Sequence, residues 1–404
     1  MGSQRPVFLV DRALTSCRML EAYGQVEFYD HSPLERRGQV QPNALFIRSV
    51  TPIDNEIVSG FPTLERIYTA TAGLDHIDGG ICARAGVEVK SAPGHNAEAV
   101  ADWVWTVLLS LVQGEKRSLE GLQLCVVGAG HTGTAVGRRG EAHGVDVVYY
   151  DPPRQERESE FKSASCEAIL ESDVVSFHVP LEEGGAWPTK GMMDLGDFVE
   201  NQWVLNASRG AVLSRNSPPA SPGICFAFDV FPNEPDIPVE WIGDAALVTP
   251  HVGGNTHGAK WEATRALADH AAQDYPPQPD GLPLGEFVPQ SHPGKLRVEE
   301  GESGESVLLR VLEHWAGLGA LSAEFRTKMK GADDDKRAAA FRGVRKRSRR
   351  FGFQGRTLSV DEPLSPAWLN CLESHGIRVK GEGDAELHVG GKMPSFLKGK
   401  GKPE

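Results

Sequence analysis

The chain has 404 residues, 40% of them hydrophobic and 24% charged, with a formal net charge of −13. That length exceeds one ordinary core and points to two or three domains, and the composition excludes a largely disordered chain. The acidic balance argues against nucleic acid as a general partner, although Lys336–Arg350 is locally basic.

The cysteines lie far apart, with no C-x-x-C pair and no Cys/His cluster at zinc spacing. They read as reduced structural thiols, and no metal is expected. No basic-then-apolar leader and no apolar run long enough to cross a bilayer is visible, so the expectation is a cytoplasmic protein with no membrane partner.

From Pro6 to about Ala92, β-like runs alternate with helical patterns: Val7–Val10, Val26–Tyr29, Ala44–Ile47 and Arg66–Tyr68. That rhythm predicts a parallel sheet covered by helices. Asn96 is placed to cap a helix over Ala97–Val112, read as the crossover into a second α/β unit. There, strands are predicted at Leu122–Val127, Asp146–Tyr150, Val174–His178, Trp203–Asn206, Ile224–Asp229 and Ala246–Thr249, and a helix over Thr256–Gln273. Tyr275–Gly281 is a Pro/Gly linker, after which Ser306–Trp315 reads as a helix, Arg356–Val360 as a strand, and the last dozen residues as a disordered tail.

Gly128-Ala129-Gly130-His131-Thr132-Gly133 is G-x-G-x-x-G set directly between an apolar strand and a helical segment. Gly128 permits the tight turn, Gly130 lets backbone N–H groups reach a pyrophosphate, and Gly133 lets helix and strand pack closely. His131 and Thr132 then open the helix whose N-terminus faces the phosphates. The next strand ends at Asp151, where a carboxylate accepts the ribose hydroxyls and selects NAD, unless Arg154 compensates a 2′-phosphate.

Three further residues fall at predicted strand ends: Arg209 in Asn206–Gly210, Glu234 in Asp229–Pro235 and His251 in Thr249–Gly254. Carboxyl ends of strands are where open α/β sheets bind ligands. Histidine suits the proton of a 2-hydroxy acid as hydride leaves C2, a carboxylate beside it fixes its tautomer, and a guanidinium grips a carboxylate bidentately. Taken singly, each is also what an ordinary surface cation, loop carboxylate or satisfied histidine looks like.

Together, Gly128–Gly133, Asp151, Asn206–Gly210, Asp229–Pro235 and Pro250–Thr256 resemble the D-isomer-specific 2-hydroxyacid dehydrogenase family over most of Val7–Asp269. The resemblance implies an α/β fold of two doubly wound Rossmann-like domains plus a smaller α+β C-terminal dimerisation domain. The substrate-binding domain would take 1–96 and about 265–284, the NAD-binding domain 97–264, and the dimerisation domain of a homodimer 285–404. Arg209, Glu234 and His251 become the catalytic residues. Ala207, Ser208, Asp229 and Gly254 join Gly128, Gly130, His131, Thr132, Gly133 and Asp151 at NAD.

Arg48–Thr51, Thr69–His76, Ser91–Asn96, the insertion Glu183–Thr189 and the basic C-terminal run are similar to family members that oxidise a 4-phosphorylated 2-hydroxy acid. On that resemblance Arg48, Ser49, Thr71 and Asn255 meet a small phosphorylated 2-hydroxy acid, with Arg48 on the phosphate. Asn255 stands where those members carry tyrosine, Val179 and Leu74 replace common polar residues, and Pro218, Pro219 and Pro222 interrupt an expected helix. Two alternatives stay open: another D-2-hydroxyacid dehydrogenase or 2-oxoacid reductase, acting on phosphoglycerate or on glycerate/hydroxypyruvate, and an NAD-sensing binding protein without catalysis.

Overall fold

Apolar residues alternate between two faces along each strand, so every sheet can be covered on both sides. A computed structural model of the chain describes residues 5–115, 117–216, 223–243, 245–277, 294–296, 304–348, 357–360 and 366–381. It divides into two units, Met1–Asn96 with His257–Gln290 and Ala97–Thr256 with Ser291–Glu404.

The first unit carries β1 (Val7–Asp11), β2 (Gln25–Tyr29), β3 (Ala44–Ile47), β4 (Arg66–Thr69) and β5 (Glu88–Ser91). They form one parallel sheet in the order β2-β1-β3-β4-β5. Phe8, Val10, Phe46 and Tyr68 pack on one face with Ala263, Leu267 and Ala271, while Leu9, Leu45, Ile47 and Ile67 pack on the other with Ile57. β5 escaped the apolar-run criterion because its sequence, Glu-Val-Lys-Ser, is that of a charged edge strand.

The helix His257–Asp274 belongs to this unit from its first residue, ahead of the expected boundary near 265. Its C-terminal Asp274 explains part of that: it accepts from the Tyr68 hydroxyl at 2.6 Å and from Lys90 Nζ at 2.7 Å.

The second unit carries β6 (Gln123–Val127), β7 (Asp146–Tyr150), β8 (Val174–Phe177), β9 (Met193–Asp194), β10 (Trp203–Asn206), β11 (Leu213–Ser214), β12 (Cys225–Phe228) and β13 (Ala245–Val248). Six of these make a parallel sheet in the order β13-β12-β10-β8-β6-β7, and β9 pairs with β11 beside it. The winding reverses between β6 and β8, the place where such sheets take ligands.

The described elements of the segment expected as a third domain, 285–404, group with the second unit. Val307, Leu308, Val311 and Leu312 of the helix Gly304–Ala316 share a core with Trp105 and Leu108 of the helix Ala97–Glu115. Phe325 and Phe341 join the opposite core with Phe231 and Trp241. A buried polar node ties in the end of the helix Pro366–Ser374: Arg139 Nη2 donates to Asp102 at 2.6 Å, its Nε to His375 Nδ1 at 3.2 Å, and His375 Nε2 meets His143 Nε2 at 3.2 Å. Burial holds both histidines well below their ordinary range, and so neutral.

A small parallel sheet of β14 (Gly294–Leu296), β15 (Thr357–Val360) and β16 (Arg378–Gly381) completes the described C-terminal part. The three prolines at 218, 219 and 222, most of the Pro/Gly linker and the C-terminal tail lie outside the described residues. No described helix is long and apolar enough to cross a membrane.

Candidate active site

The glycine loop follows β6 directly. Gly128 has φ +94°, and a side chain there would meet the His178 carbonyl oxygen at 2.8 Å, so only glycine fits. At Gly133 a Cβ would run into the Gly128 carbonyl, which is how the helix His131–Ala142 comes so close to the strand. Gly130 is different: a Cβ there would point into open space. Its smallness leaves room for an incoming group above the helix N-terminus, whose dipole and free N–H groups favour phosphate.

Asp151 ends β7 and binds the loop. Its Oδ2 accepts from Ala129 N at 2.8 Å and its Oδ1 caps the next helix through Arg154 N at 2.8 Å. Each oxygen keeps a second lone pair for a ribose hydroxyl. A cavity of about 390 Å³ opens here, lined among others by Gly130, His131, Asp151, Arg154 and Arg157. Arg154 Nη1 donates to Ala129 O at 2.7 Å and its Nε to Glu158 at 2.8 Å, so two of its donor positions are engaged within the wall. An empty-walled glycine loop, a helix N-terminus and a carboxylate at the strand end together fit a dinucleotide.

His251 Nδ1 meets Glu234 Oε2 at 2.6 Å, and Glu234 Oε1 accepts from Phe231 N at 2.8 Å. The glutamate is thus anchored at one oxygen and orients the imidazole with the other, which sets Nδ1 as donor and leaves Nε2 for chemistry. The His251 side chain remains 36% exposed. Its backbone sits at φ +55°, a strained conformation for a non-glycine residue.

Arg209 follows β10 in a turn built by Asn206, whose Oδ1 accepts from Ser208 N at 3.0 Å and from Ser208 Oγ at 2.8 Å, and whose Nδ2 donates to Arg209 O at 3.0 Å. A Cβ on Gly210 would collide with the Phe231 carbonyl group. Backbone therefore touches backbone between the Arg209 and Glu234 loops, and the glycine makes that approach possible. Ser208 is buried and Ala207 partly so.

The candidate substrate residues divide between the units. Asn255 lies in the second, half-buried, its N–H on the Val252 carbonyl at 2.9 Å. In the first, Arg48 and exposed Ser49 form a turn closed by Thr51 N on Arg48 O at 3.0 Å. Arg48 Nε donates to Asp11 Oδ2 at 2.8 Å, which joins the ends of β1 and β3 where that sheet reverses its winding. Thr71 Oγ1 lies 2.8 Å from Thr69 Oγ1 and donates to Gly73 O at 2.7 Å, and Thr69 meets His76 Nε2 at 3.0 Å. Burial lowers the His76 imidazole below its ordinary range.

The sequence reading missed Asp11, Gly210, Thr249 and Trp103. Asp11 is a strand-end carboxylate facing a strand-end arginine and Gly210 adjoins a singled-out arginine, so both carried a signal; Trp103 lies within an apolar helix and carried none.

Residues 99–253 match the model for the D-isomer specific 2-hydroxyacid dehydrogenase, NAD binding domain. An erythronate-4-phosphate dehydrogenase of Aeromonas hydrophila is 32% identical over 326 residues, covering 76% of this chain and 84% of the relative. The chain belongs to the D-isomer-specific 2-hydroxyacid dehydrogenase family. A relative of the same name from Idiomarina loihiensis is 29% identical over 311 residues, 74% of this chain and 80% of its own.

The solved structure of NAD⁺-bound 3-phosphoglycerate dehydrogenase from Entamoeba histolytica shares the fold, with a TM-score of 0.54 at 22% identity over 66% of this chain and 94% of that one. As a D-isomer-specific 2-hydroxyacid dehydrogenase, this protein is an NAD-dependent oxidoreductase.

Proposed function

We propose that the protein oxidises 4-phospho-D-erythronate to 2-oxo-3-hydroxy-4-phosphobutanoate, a step in pyridoxal 5′-phosphate biosynthesis. The observation that carries the reaction is the His251–Glu234 pair at 2.6 Å, in the same unit as the glycine loop. The substrate assignment is supported by relatives named erythronate-4-phosphate dehydrogenase and by the Arg48-Ser49 turn and Thr71.

Bound NAD supplies the hydride acceptor, and Gly128, Gly130, His131, Thr132, Gly133 and Asp151 would hold it, with Ala207, Ser208, Asp229 and Gly254 nearby. His251 Nε2 takes the C2 hydroxyl proton while Glu234 stabilises the imidazolium that results. Arg209 pairs with the substrate carboxylate, and Arg48 with the phosphate, where a guanidinium matches the oxygen geometry. Ser49, Thr71 and Asn255 offer hydroxyl and amide hydrogen bonds to the sugar-acid chain. The same reading carries a homodimer assembled through the C-terminal region, which the molar mass by light scattering tests.

The test is NADH formation at 340 nm with 4-phosphoerythronate, 3-phosphoglycerate and glycerate. The reading expects the highest kcat/KM on 4-phosphoerythronate and a selective loss of that preference in Arg48→Ala. Faster turnover of 3-phosphoglycerate or glycerate overturns the substrate assignment, and Asn255 is the feature that favours that second reading.

A further inference from the structure

The strained backbone at His251 is gripped from two sides by one residue. Asp229, 1% exposed at the end of β12, accepts the His251 N–H on its main-chain oxygen at 2.7 Å. Its carboxylate then accepts the next two main-chain donors, Val252 N on Oδ1 at 2.8 Å and Gly253 N on Oδ2 at 2.6 Å. A third donor, Thr249 Oγ1, reaches Oδ1 at 2.5 Å, and Thr249 in turn accepts from Trp103 Nε1 at 2.9 Å. All three side chains are buried, Trp103 and Thr249 at 0% exposure.

The direction of this chain is fixed by chemistry. A carboxylate only accepts and an indole N–H only donates, so the Thr249 hydroxyl must give its proton to Asp229 and its lone pair to Trp103. The steric fit is equally restrictive: a Cβ on Gly253 would meet Asp229 Oδ2 at 2.8 Å and Trp103 Cγ at 3.6 Å. A left-handed non-glycine conformation is strained and persists only when its surroundings over-determine it. Here the surroundings are one carboxylate with three donors, in a buried site where such bonds are strong.

We propose that Trp103, Thr249 and Asp229 form a positioning relay that holds the His251 backbone in its left-handed conformation, so that the imidazole meets Glu234. Trp103 and Thr249 are positioning residues: they act through the Asp229 carboxylate on His251, whose role as proton acceptor is the reading on which this rests. The relay also gives the helix Ala97–Glu115 a part in the reaction, since its Trp103 supplies the first donor.

The experiment compares Thr249→Val, Thr249→Ser and His251→Ala with the wild type. Three readouts are followed: kcat with 4-phosphoerythronate, the NAD dissociation constant, and the low-field proton resonance of His251 Nδ1–H bonded to Glu234, assigned by its loss in His251→Ala. A displacement of about 1 Å in a catalytic group costs about 10²-fold in rate, so Thr249→Val is expected to lose up to that in kcat with unchanged NAD affinity. The resonance should broaden or vanish, and Thr249→Ser should restore both.

Wild-type kcat and an intact resonance in Thr249→Val overturn the relay. So does an activity loss that equals the loss of folded protein, or one that falls on NAD affinity alone. If Thr249→Val does not fold, Trp103→Phe, which keeps the ring bulk and removes only the donor, carries the same comparison at smaller amplitude. Full turnover in His251→Ala is the separate outcome that refutes the underlying reading and leaves the relay's resonance test standing.

Discussion

The mouth of the glycine loop and the His251 loop sit in one unit but are specified in different ways. At the first, the structural demands fall on the very residues proposed to face the cofactor. Gly128 needs φ +94°, Gly133 needs no Cβ, and Asp151 must end a strand. At the second, the reacting residues are held by others. His251 adopts φ +55° because Asp229 collects three donors around it, and Glu234 reaches it because Phe231 N anchors the other oxygen. A recurring turn can be written in a short motif, whereas a loop held by a buried carboxylate depends on partners scattered along the chain.

The contrast is sharpest at Gly128. Gly128→Ala places a Cβ against the His178 carbonyl and the Val179 side chain while forcing a positive φ. Conformational strain alone is worth about 1–3 kcal/mol, and the collision adds to it. We expect a lower melting temperature together with NAD binding too weak to measure by calorimetry; a variant that binds normally shows that the loop tolerates what its geometry forbids.

Asp151→Ala has a smaller reach. It removes the acceptor for Ala129 N and the cap of Arg154 N, and with them the proposed site for the ribose hydroxyls. Charge-assisted hydrogen bonds contribute about 1.5–3 kcal/mol, so NAD affinity should fall about tenfold or more while discrimination against NADP relaxes. Unchanged NAD affinity separates Asp151 from the cofactor.

The mildest effect is one of pH. His143 and His375 are buried and held well below the ordinary histidine value of 6.5, so the unfolded chain binds protons that the folded one refuses. Stability is therefore complete above about pH 6.5 and declines as pH falls below it, by up to about 1.4 kcal/mol per pH unit for each histidine. The melting temperature of the wild type should drop between about pH 7 and about pH 5.5, and His143→Gln should flatten that slope; parallel slopes would remove the buried pair as its cause.

Much of the fold was legible because it rests on local signals. Continuous apolar runs, buried on both faces, gave β1, β3, β6, β8 and β10 nearly to the residue, and the helix Ala97–Glu115 showed its core-facing spacing. What escaped was non-local. The edge strand β5 carries too much charge to read as apolar, and the attachment of the C-terminal helices depends on Arg139 meeting His375 across 236 residues of sequence. The site divides the same way: Gly128, Asp151 and His251 stand in strings that announce them, while the Thr249–Asp229 bond and the Trp103 donor arise only when β12, β13 and the helix Ala97–Glu115 come together.

The central claim is that His251, oriented by Glu234, moves the proton of a hydroxy-acid oxidation on a separately assembled NAD site. Its most direct test is His251→Ala, followed by NADH formation at 340 nm with 4-phosphoerythronate and by NAD calorimetry on the same preparation. Positioned proton transfer contributes about 10²–10⁴-fold, so turnover should fall by that factor while NAD binds as in the wild type. Retained turnover would contradict the assignment of the base, and lost NAD binding would contradict the independence of the two loops.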